Sequence, residues 1–254
     1  MTTELPDTAP GPAPTVDGAP PAVWRRALAE FLGTGLLVAV VVGSGIAAQR
    51  LSADVGLQLL ENSLATALGL GVLIVLFAPV SGAHFNPVVS LTDALLGRAD
   101  RSGLRARTLG VYLLAQAAGG IGGAILANAT FDVTTSISTT DRATPATLLA
   151  EVVATAGLVM LIAGLTRTQR SIPVIAAAVG AYIGAAYWFT SSTSFANPAV
   201  TLGRVFTDTF AGIAPVSAMW FVGAQLVGAI VAGGLVILLF PAAEPRAATA
   251  SHTR

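Results

Sequence analysis

Two Asn-Pro pairs hold the polar groups of this chain that are best placed for chemistry. Asparagine is a favoured helix N-cap and proline is favoured at the first helical position, so each pair predicts the start of a helix. The Asn carbonyl oxygen can cap that helix while its NH2 group donates to a neutral solute that carries acceptor oxygens. The two triplets, in "HFNPVVSLTD" and "SFANPAVTLGR", are Asn86-Pro87-Val88 and Asn197-Pro198-Ala199.

The composition places these pairs in a membrane protein. The 254 residues are 54% hydrophobic and 10% charged, with a mean hydropathy of +0.77, which is far outside the charge content of soluble domains. Apolar runs of about 20 residues suffice to cross a hydrocarbon core of roughly 30 Å as helix. Six such runs occur, at residues 27–48, 58–79, 107–128, 147–166, 172–190 and 215–240.

The segments that begin at the two Asn residues are too short to span a bilayer. "NPVVSLTDALL" and "NPAVTLGRVF" are roughly half as long as a spanning helix needs to be. The irregular backbone that leads into them must line a cavity or be covered by protein. If the two half-helices enter from opposite faces, their positive dipole ends meet near the middle and repel cations.

The chain has the pattern of an inverted repeat. "RRALAEFLGTGLLV" at 25–38 resembles "PATLLAEVVATAGLVM" at 145–160, and each carries a glutamate, Glu30 or Glu151, early in a span. Each half has an odd number of spans, so the halves insert with opposite orientations, which favours a substrate path near the midplane. The predicted order is a disordered cytoplasmic tail (1–22), a first repeat (23–128), an extracellular connecting loop (129–144), a second repeat (145–240) and a cytoplasmic tail (241–254).

The charged residues indicate topology and exclude several partners. All thirteen basic residues are arginine and the formal net charge is zero, so nucleic acid is not a predicted partner. The positive-inside rule puts both termini in the cytoplasm, and the lack of lysine together with the high alanine content favours a bacterial inner membrane. Ten of the thirteen arginines lie on the predicted inner side: Arg25, Arg26, Arg98, Arg101, Arg105, Arg107, Arg167, Arg170, Arg246 and Arg254.

Few residues are available for catalysis or metal binding. The chain has no cysteine and two histidines, of which only His84 lies in the membrane domain, so we expect no metal or cofactor and a hydrogen-bonding role for His84 beside the pore. The spans offer no nucleophile-base pair and no phosphate loop, and no enzymatic activity is predicted. Glu30 and Glu151 have two interpretations: coupling carboxylates of an ion-driven secondary transporter, or acceptors for backbone N–H groups of the broken loops. Their symmetric placement favours the second.

"SGAHFNPVVSL" and "FANPAVTLGR" resemble the paired Asn-Pro-Ala motifs of the aquaporin and aquaglyceroporin (major intrinsic protein) superfamily, and the likeness extends over residues 24–240. The resemblance implies an all-α membrane protein with six tilted helices and two half-helices per pore. It further implies a homotetramer of independent pores in the lipid bilayer, and passive flow of water or small neutral solutes.

The resemblance also locates a selectivity filter, where the family usually has an arginine directly after the second triplet. Val200 occupies that place, and gap-free counting maps the other filter positions to Thr66, Ala185 and Ser194. These residues predict a small, uncharged and wide filter that favours glycerol, urea or metalloid hydroxides such as arsenous acid, since some bacterial members without the arginine are associated with arsenite movement. A water-selective aquaporin is the alternative. Arg204, four residues later, either reaches the pore or contacts a loop or the lipid interface.

Overall fold

A computed structural model describes residues 21–98 and 102–240, and the regular structure within these ranges is helical. Six of the helices are long and apolar enough to cross a membrane, which confirms the six predicted spans. Their bounds differ from the sequence prediction by a few residues at the ends. The helices are α1 Val23–Leu51, α2 Val55–Ser81, α3 Pro87–Leu96, α4 Ala106–Thr130, α5 Pro145–Arg167, α6 Ile172–Phe189, α7 Pro198–Arg204 and α8 Pro215–Leu239.

The two short helices, α3 and α7, begin at the Asn-Pro pairs. The Asn86 Oδ1 atom accepts the N–H of Val88 at 3.1 Å, and the Asn197 Oδ1 atom accepts the N–H groups of Ala199 at 2.9 Å and Val200 at 3.2 Å. α3 has 10 residues and α7 has 7, so at 1.5 Å per residue neither crosses a bilayer. The predicted half-helices and their caps are therefore confirmed.

The helices pack as two matching halves. In the first half α1 packs against α2 and α4, and in the second half α5 packs in the same way against α6 and α8. Each half-helix also contacts the last span of the other half, since α7 lies against α4 and α3 lies against α8. The all-α architecture of six spans and two half-helices in an inverted repeat is the fold class that the sequence predicts.

Glycines allow the closest helix crossings. A Cβ atom added at Gly123 of α4 would lie 2.1 Å from the carbonyl oxygen of Gly35 in α1, and one added at Gly119 would lie 2.3 Å from that of Phe31. A Cβ atom at Gly180 of α6 would lie 2.6 Å from the carbonyl oxygen of Ala67 in α2. Small residues at these positions let the backbones touch, as is usual for helices packed in lipid.

The segment between α4 and α5 covers the C-terminal end of α7. The N–H of Ser138 donates to the carbonyl of Val205 at 2.8 Å, and the N–H of Thr139 donates to the Asp208 carboxylate at 3.0 Å. The Thr139 N–H holds the pKa of Asp208 below its ordinary value. We call the end of the molecule formed by this segment and the C-terminus of α7 the α7 mouth.

The predicted tails lie outside the described residues, apart from 21 and 22, and the division into repeats and tails stays a prediction.

The α1–α4 contact gives a stability prediction. Gly123→Ala puts a methyl group into the Gly35 carbonyl, so we expect a lower apparent Tm in detergent, corresponding to an overpacking cost of about 1–3 kcal/mol. Gly122→Ala is the matched control, because a Cβ atom there meets nothing within 4 Å. Equal melting temperatures for the two variants would contradict the close crossing.

Candidate functional site

An internal cavity passes the N-terminal ends of both half-helices. It measures about 60 Å³, which is room for roughly four to six water molecules at about 10–15 Å³ each. Apolar side chains in its lining include Leu37, Val41, Leu70, Ile74, Val89, Leu158, Ile162, Val179 and Ile183. Polar side chains also line it, namely Thr66, His84, Asn86, Tyr187, Ser194, Asn197 and Arg204.

The two Asn amides bind across the boundary between the halves. The Nδ2 atom of Asn86 donates to the carbonyl of Ala196 at 2.8 Å, and the Nδ2 atom of Asn197 donates to the carbonyl of Phe85 at 2.8 Å. An amide nitrogen has two protons, so each Asn keeps one for a solute in the cavity. Both Asn side chains thus line the cavity and join the two halves, and their contact with a solute stays a prediction.

Glu30 supports the broken loop before α3. It is fully buried, and its carboxylate accepts the Ser81 hydroxyl at 2.7 Å, the N–H of His84 at 3.0 Å, the N–H of Phe85 at 2.7 Å and the Gln116 amide at 2.8 Å. These four bonds match the acceptor capacity of a carboxylate. Glu30 does not border the cavity.

Glu151 repeats this arrangement in the second half. Its buried carboxylate accepts the Ser192 hydroxyl at 2.6 Å, the N–H groups of Phe195 and Ala196 at 2.9 Å each, and the Gln225 amide at 2.7 Å. The glutamates therefore have the geometry of structural acceptors and leave no free lone pair for a coupling ion. This was the favoured of the two interpretations from the sequence.

The loops before α3 and α7 reach these carboxylates with non-glycine residues in the left-handed backbone conformation. Ala83 and Phe85 have φ of 52° and 51° before α3, and Ser194 and Ala196 have φ of 50° and 47° before α7. Left-handed conformations at non-glycine residues cost about 1–3 kcal/mol each and persist only where the surroundings impose them. Here the buried glutamates accept the N–H groups that these conformations turn inward.

His84 borders the cavity on the side of α3. Its Nδ1 atom lies 3.0 Å from the Ser90 hydroxyl, and its ring packs edge-on against Tyr112 at 5.7 Å between centroids. Among the described residues no group of three or more metal-ligating side chains occurs. The predicted hydrogen bond beside the pore is present.

Three of the four mapped filter residues lie at the cavity, and one does not. Thr66, Ser194 and Val200 line it, and the Thr66 hydroxyl lies 3.1 Å from the Tyr187 hydroxyl. Ala185 is exposed on the outer face of α6, so its assignment is wrong. Tyr187, two residues later, lies in the lining instead; because α6 also carries Tyr182, the sequence alone did not single out Tyr187.

Contrary to the prediction of an uncharged filter, a charged side chain lies in the cavity lining, whereas the width of the filter stays a prediction. Arg204 is 3% exposed and lies in the cavity lining, where its guanidinium stacks over the ring of Phe195 at 3.4 Å. Its Nε atom donates to the carbonyl of Ala211. Four residues after Val200 is about one helical turn, so the arginine enters from one turn further along α7. The Tyr187 and Phe195 rings also line the cavity.

Six apolar spans, two capped half-helices and a cavity between them define a multi-pass membrane channel. The chain belongs to the major intrinsic protein family, whose family model matches residues 19–194. Membership in this family of channels supports a function other than catalysis.

Individual relatives agree with this assignment. The chain is 50% identical over 223 residues to aquaglyceroporin AqpS of Rhizobium meliloti (strain 1021), covering 87% of this chain and 92% of the relative. It is 39% identical over 99 residues to the glycerol uptake facilitator protein of Pseudomonas aeruginosa, covering 39% of this chain and 33% of that protein. The X-ray structure of the aquaglyceroporin from Plasmodium falciparum has the same fold, with a TM-score of 0.64, 21% identity, and coverage of 85% of this chain and 96% of the other.

The hydrogen bonds of the buried glutamates give a prediction that distinguishes a structural role of these residues from a role in ion coupling. In Glu151→Gln the new NH2 group faces backbone donors, and hydrogen bonds to a charged acceptor, worth about 1.5–3 kcal/mol each, are lost. We expect a markedly lower apparent Tm, whereas solute flux through the folded fraction still needs no ion gradient. Glu61→Gln is the control, since Glu61 is half-buried in α2 without a hydrogen bond to the described part of the chain. A stable Glu151→Gln protein that loses ion-driven uptake would support a transporter.

Proposed function

We propose that this protein is a passive channel for small neutral hydroxylated solutes: glycerol, urea and undissociated metalloid hydroxides such as arsenous acid, together with water. The observation that carries the proposal is the mixed lining of the cavity. Apolar side chains of α1, α2, α5 and α6 line it together with the donors and hydroxyls of Asn86, Asn197 and Thr66, and Val200 adds an apolar side chain from α7. The names of two relatives, an aquaglyceroporin and a glycerol uptake facilitator, support the same solute class.

Such a lining suits a solute that has both polar and apolar groups. The carbon chain of glycerol can contact the apolar side chains of the lining. Its hydroxyls can form hydrogen bonds with the free Asn protons and the Thr66 hydroxyl, in place of the hydrogen bonds that they lose to water. Ser194 adds a buried hydroxyl oxygen without a hydrogen-bond partner in the described chain. A water-selective pore gains less from the apolar side chains, which offer water no hydrogen bond.

Passive flow follows from the placement of the acids. Both intramembrane glutamates are fully engaged with the broken loops and lie outside the cavity lining. A secondary transporter needs a group that binds its coupling ion and changes partner during the cycle, and neither carboxylate has a lone pair to spare. Solute gradients alone therefore set the direction of flow.

Flux measurements on liposomes test this proposal. We expect the purified protein to conduct glycerol and arsenous acid without an ion gradient, and Val200→Phe to reduce both fluxes by about tenfold or more with less effect on water, because the ring takes up space in the cavity. Val227→Phe is the control, since Val227 is 50% exposed on α8. Conduction of water alone by the wild-type protein contradicts the proposed solute class.

The proposal includes a topology, with both termini in the cytoplasm of a bacterial cell. The chain contains no cysteine, so single cysteines can be introduced without a background. Ser136 and Gln169 are exposed in segments at opposite ends of α5. In intact spheroplasts, a membrane-impermeant maleimide should label Ser136→Cys and spare Gln169→Cys, and the reverse pattern contradicts this orientation. The homotetramer implied by the family resemblance stays a prediction.

A further inference from the structure

Arg204 is a buried cation held at the α7 mouth by neutral groups. The face of the Phe195 ring lies against its guanidinium, and the Ala211 carbonyl accepts its Nε proton. A guanidinium has five N–H donors, so this single hydrogen bond leaves four. The terminal nitrogens make no hydrogen bond to the described part of the chain, and the side chain borders the cavity. These donors are therefore available to a solute that passes through the cavity.

A second guanidinium supports the same ring from the connecting segment. Arg142 lies 5.6 Å from the Phe195 centroid, and it donates to the carbonyls of Gly212 at 2.6 Å and Phe210 at 2.7 Å. Together the two arginines engage three successive carbonyls, those of residues 210, 211 and 212. The α7 mouth thus concentrates positive charge around one aromatic ring.

In the described part of the chain, no carboxylate forms an ion pair with either guanidinium. Within the described ranges, Asp141 accepts the Ser217 hydroxyl at 3.3 Å, and Asp208 binds Ser138 and Thr139. Glu151 is occupied by its own four donors in the loop before α7. The hydrogen bonds of these carboxylates go to other groups, and Arg204, which borders the cavity, carries its charge at the cavity wall.

Val200 lies on the same half-helix, about 6 Å nearer its start. It is apolar and 5% exposed, and it borders the same cavity as Arg204. One face of α7 thus presents two successive levels to a solute, the first apolar and the second cationic.

We propose that this channel divides its selectivity between these two levels: Val200 limits solute size, and Arg204, supported by Arg142 through Phe195, excludes protons and cations. The division rests on the proposed channel function. A fixed charge acts strongly on an ion in a poorly hydrated passage, because attraction and repulsion grow as the local dielectric falls. The same charge affects a neutral solute only through hydrogen bonds, so the two properties can be changed separately.

The test compares leak and solute flux in the same liposomes, using the full-length chain. Arg204→Leu removes the charge, Arg204→Gln removes it but keeps an N–H donor for the Ala211 carbonyl, and Arg204→Lys keeps the charge. We expect proton and sodium leak to rise by about tenfold or more in the first two variants and to stay near the wild-type level in the third. The ratio of glycerol to water flux should change by less than about twofold in the glutamine variant.

Arg50→Leu is the matched control for the loss of an arginine. Arg50 lies at the end of α1 on the same side, where its guanidinium is over the ring of Phe131 at 5.5 Å and donates to the Phe131 carbonyl at 2.5 Å. It has the same types of contact as Arg204 but does not border the cavity. We expect its removal to leave ion leak and solute flux unchanged.

Val200→Phe completes the comparison, with reduced glycerol flux and an unchanged ion leak as the expected result. Proton and sodium leak at the wild-type level in both Arg204→Leu and Arg204→Gln overturns the proposal. So does a leak in Val200→Phe that equals that of Arg204→Leu. A wild-type protein that conducts only water contradicts the proposed solute class, yet the leak comparison between Arg204 and Arg50 variants still decides the role of Arg204.

Discussion

The structure depends on the need to satisfy polar backbone groups inside a membrane. A helix meets this need by itself, but the loops before α3 and α7 break the helical hydrogen-bond pattern in a region without bulk water. The buried carboxylates of Glu30 and Glu151 accept the N–H groups that these breaks release. Once the loops are fixed, both Asn side chains are fixed as well, and the cavity acquires its donors.

The same constraint explains why the small residues matter. Half-helices cannot reach the cavity unless neighbouring backbones approach closely, and a Cβ atom at Gly203 of α7 would lie 2.4 Å from the carbonyl oxygen of Gly120 in α4. The backbone contact at this crossing brings the turn that carries Val200 and Arg204 against the last span of the first half. The proposed selectivity residues thus depend on a close approach of two glycines, Gly120 and Gly203.

The fold and the paired motifs could be predicted from sequence because they depend on local rules. Apolar length determines the spans, Asn-Pro pairs begin the half-helices, and the order of the glutamates shows the repeat. The residues of the selectivity filter could not be predicted equally well from the sequence. A helix turns by about 100° per residue, so a two-residue error on α6 exchanges exposed Ala185 for buried Tyr187. The position of Arg204 depends on the Phe195 ring and the Ala211 carbonyl, which only the folded chain brings together.

The reciprocal Asn bonds also determine when the channel can be completed during its synthesis. Asn86 binds a carbonyl 110 residues later in the chain, and Asn197 binds one 112 residues earlier. Until the second broken loop has been made and inserted, the amide of Asn86 has no Ala196 carbonyl to bind. This bond therefore cannot form before Ala196 has been synthesised, at which point α1 to α6 are already complete.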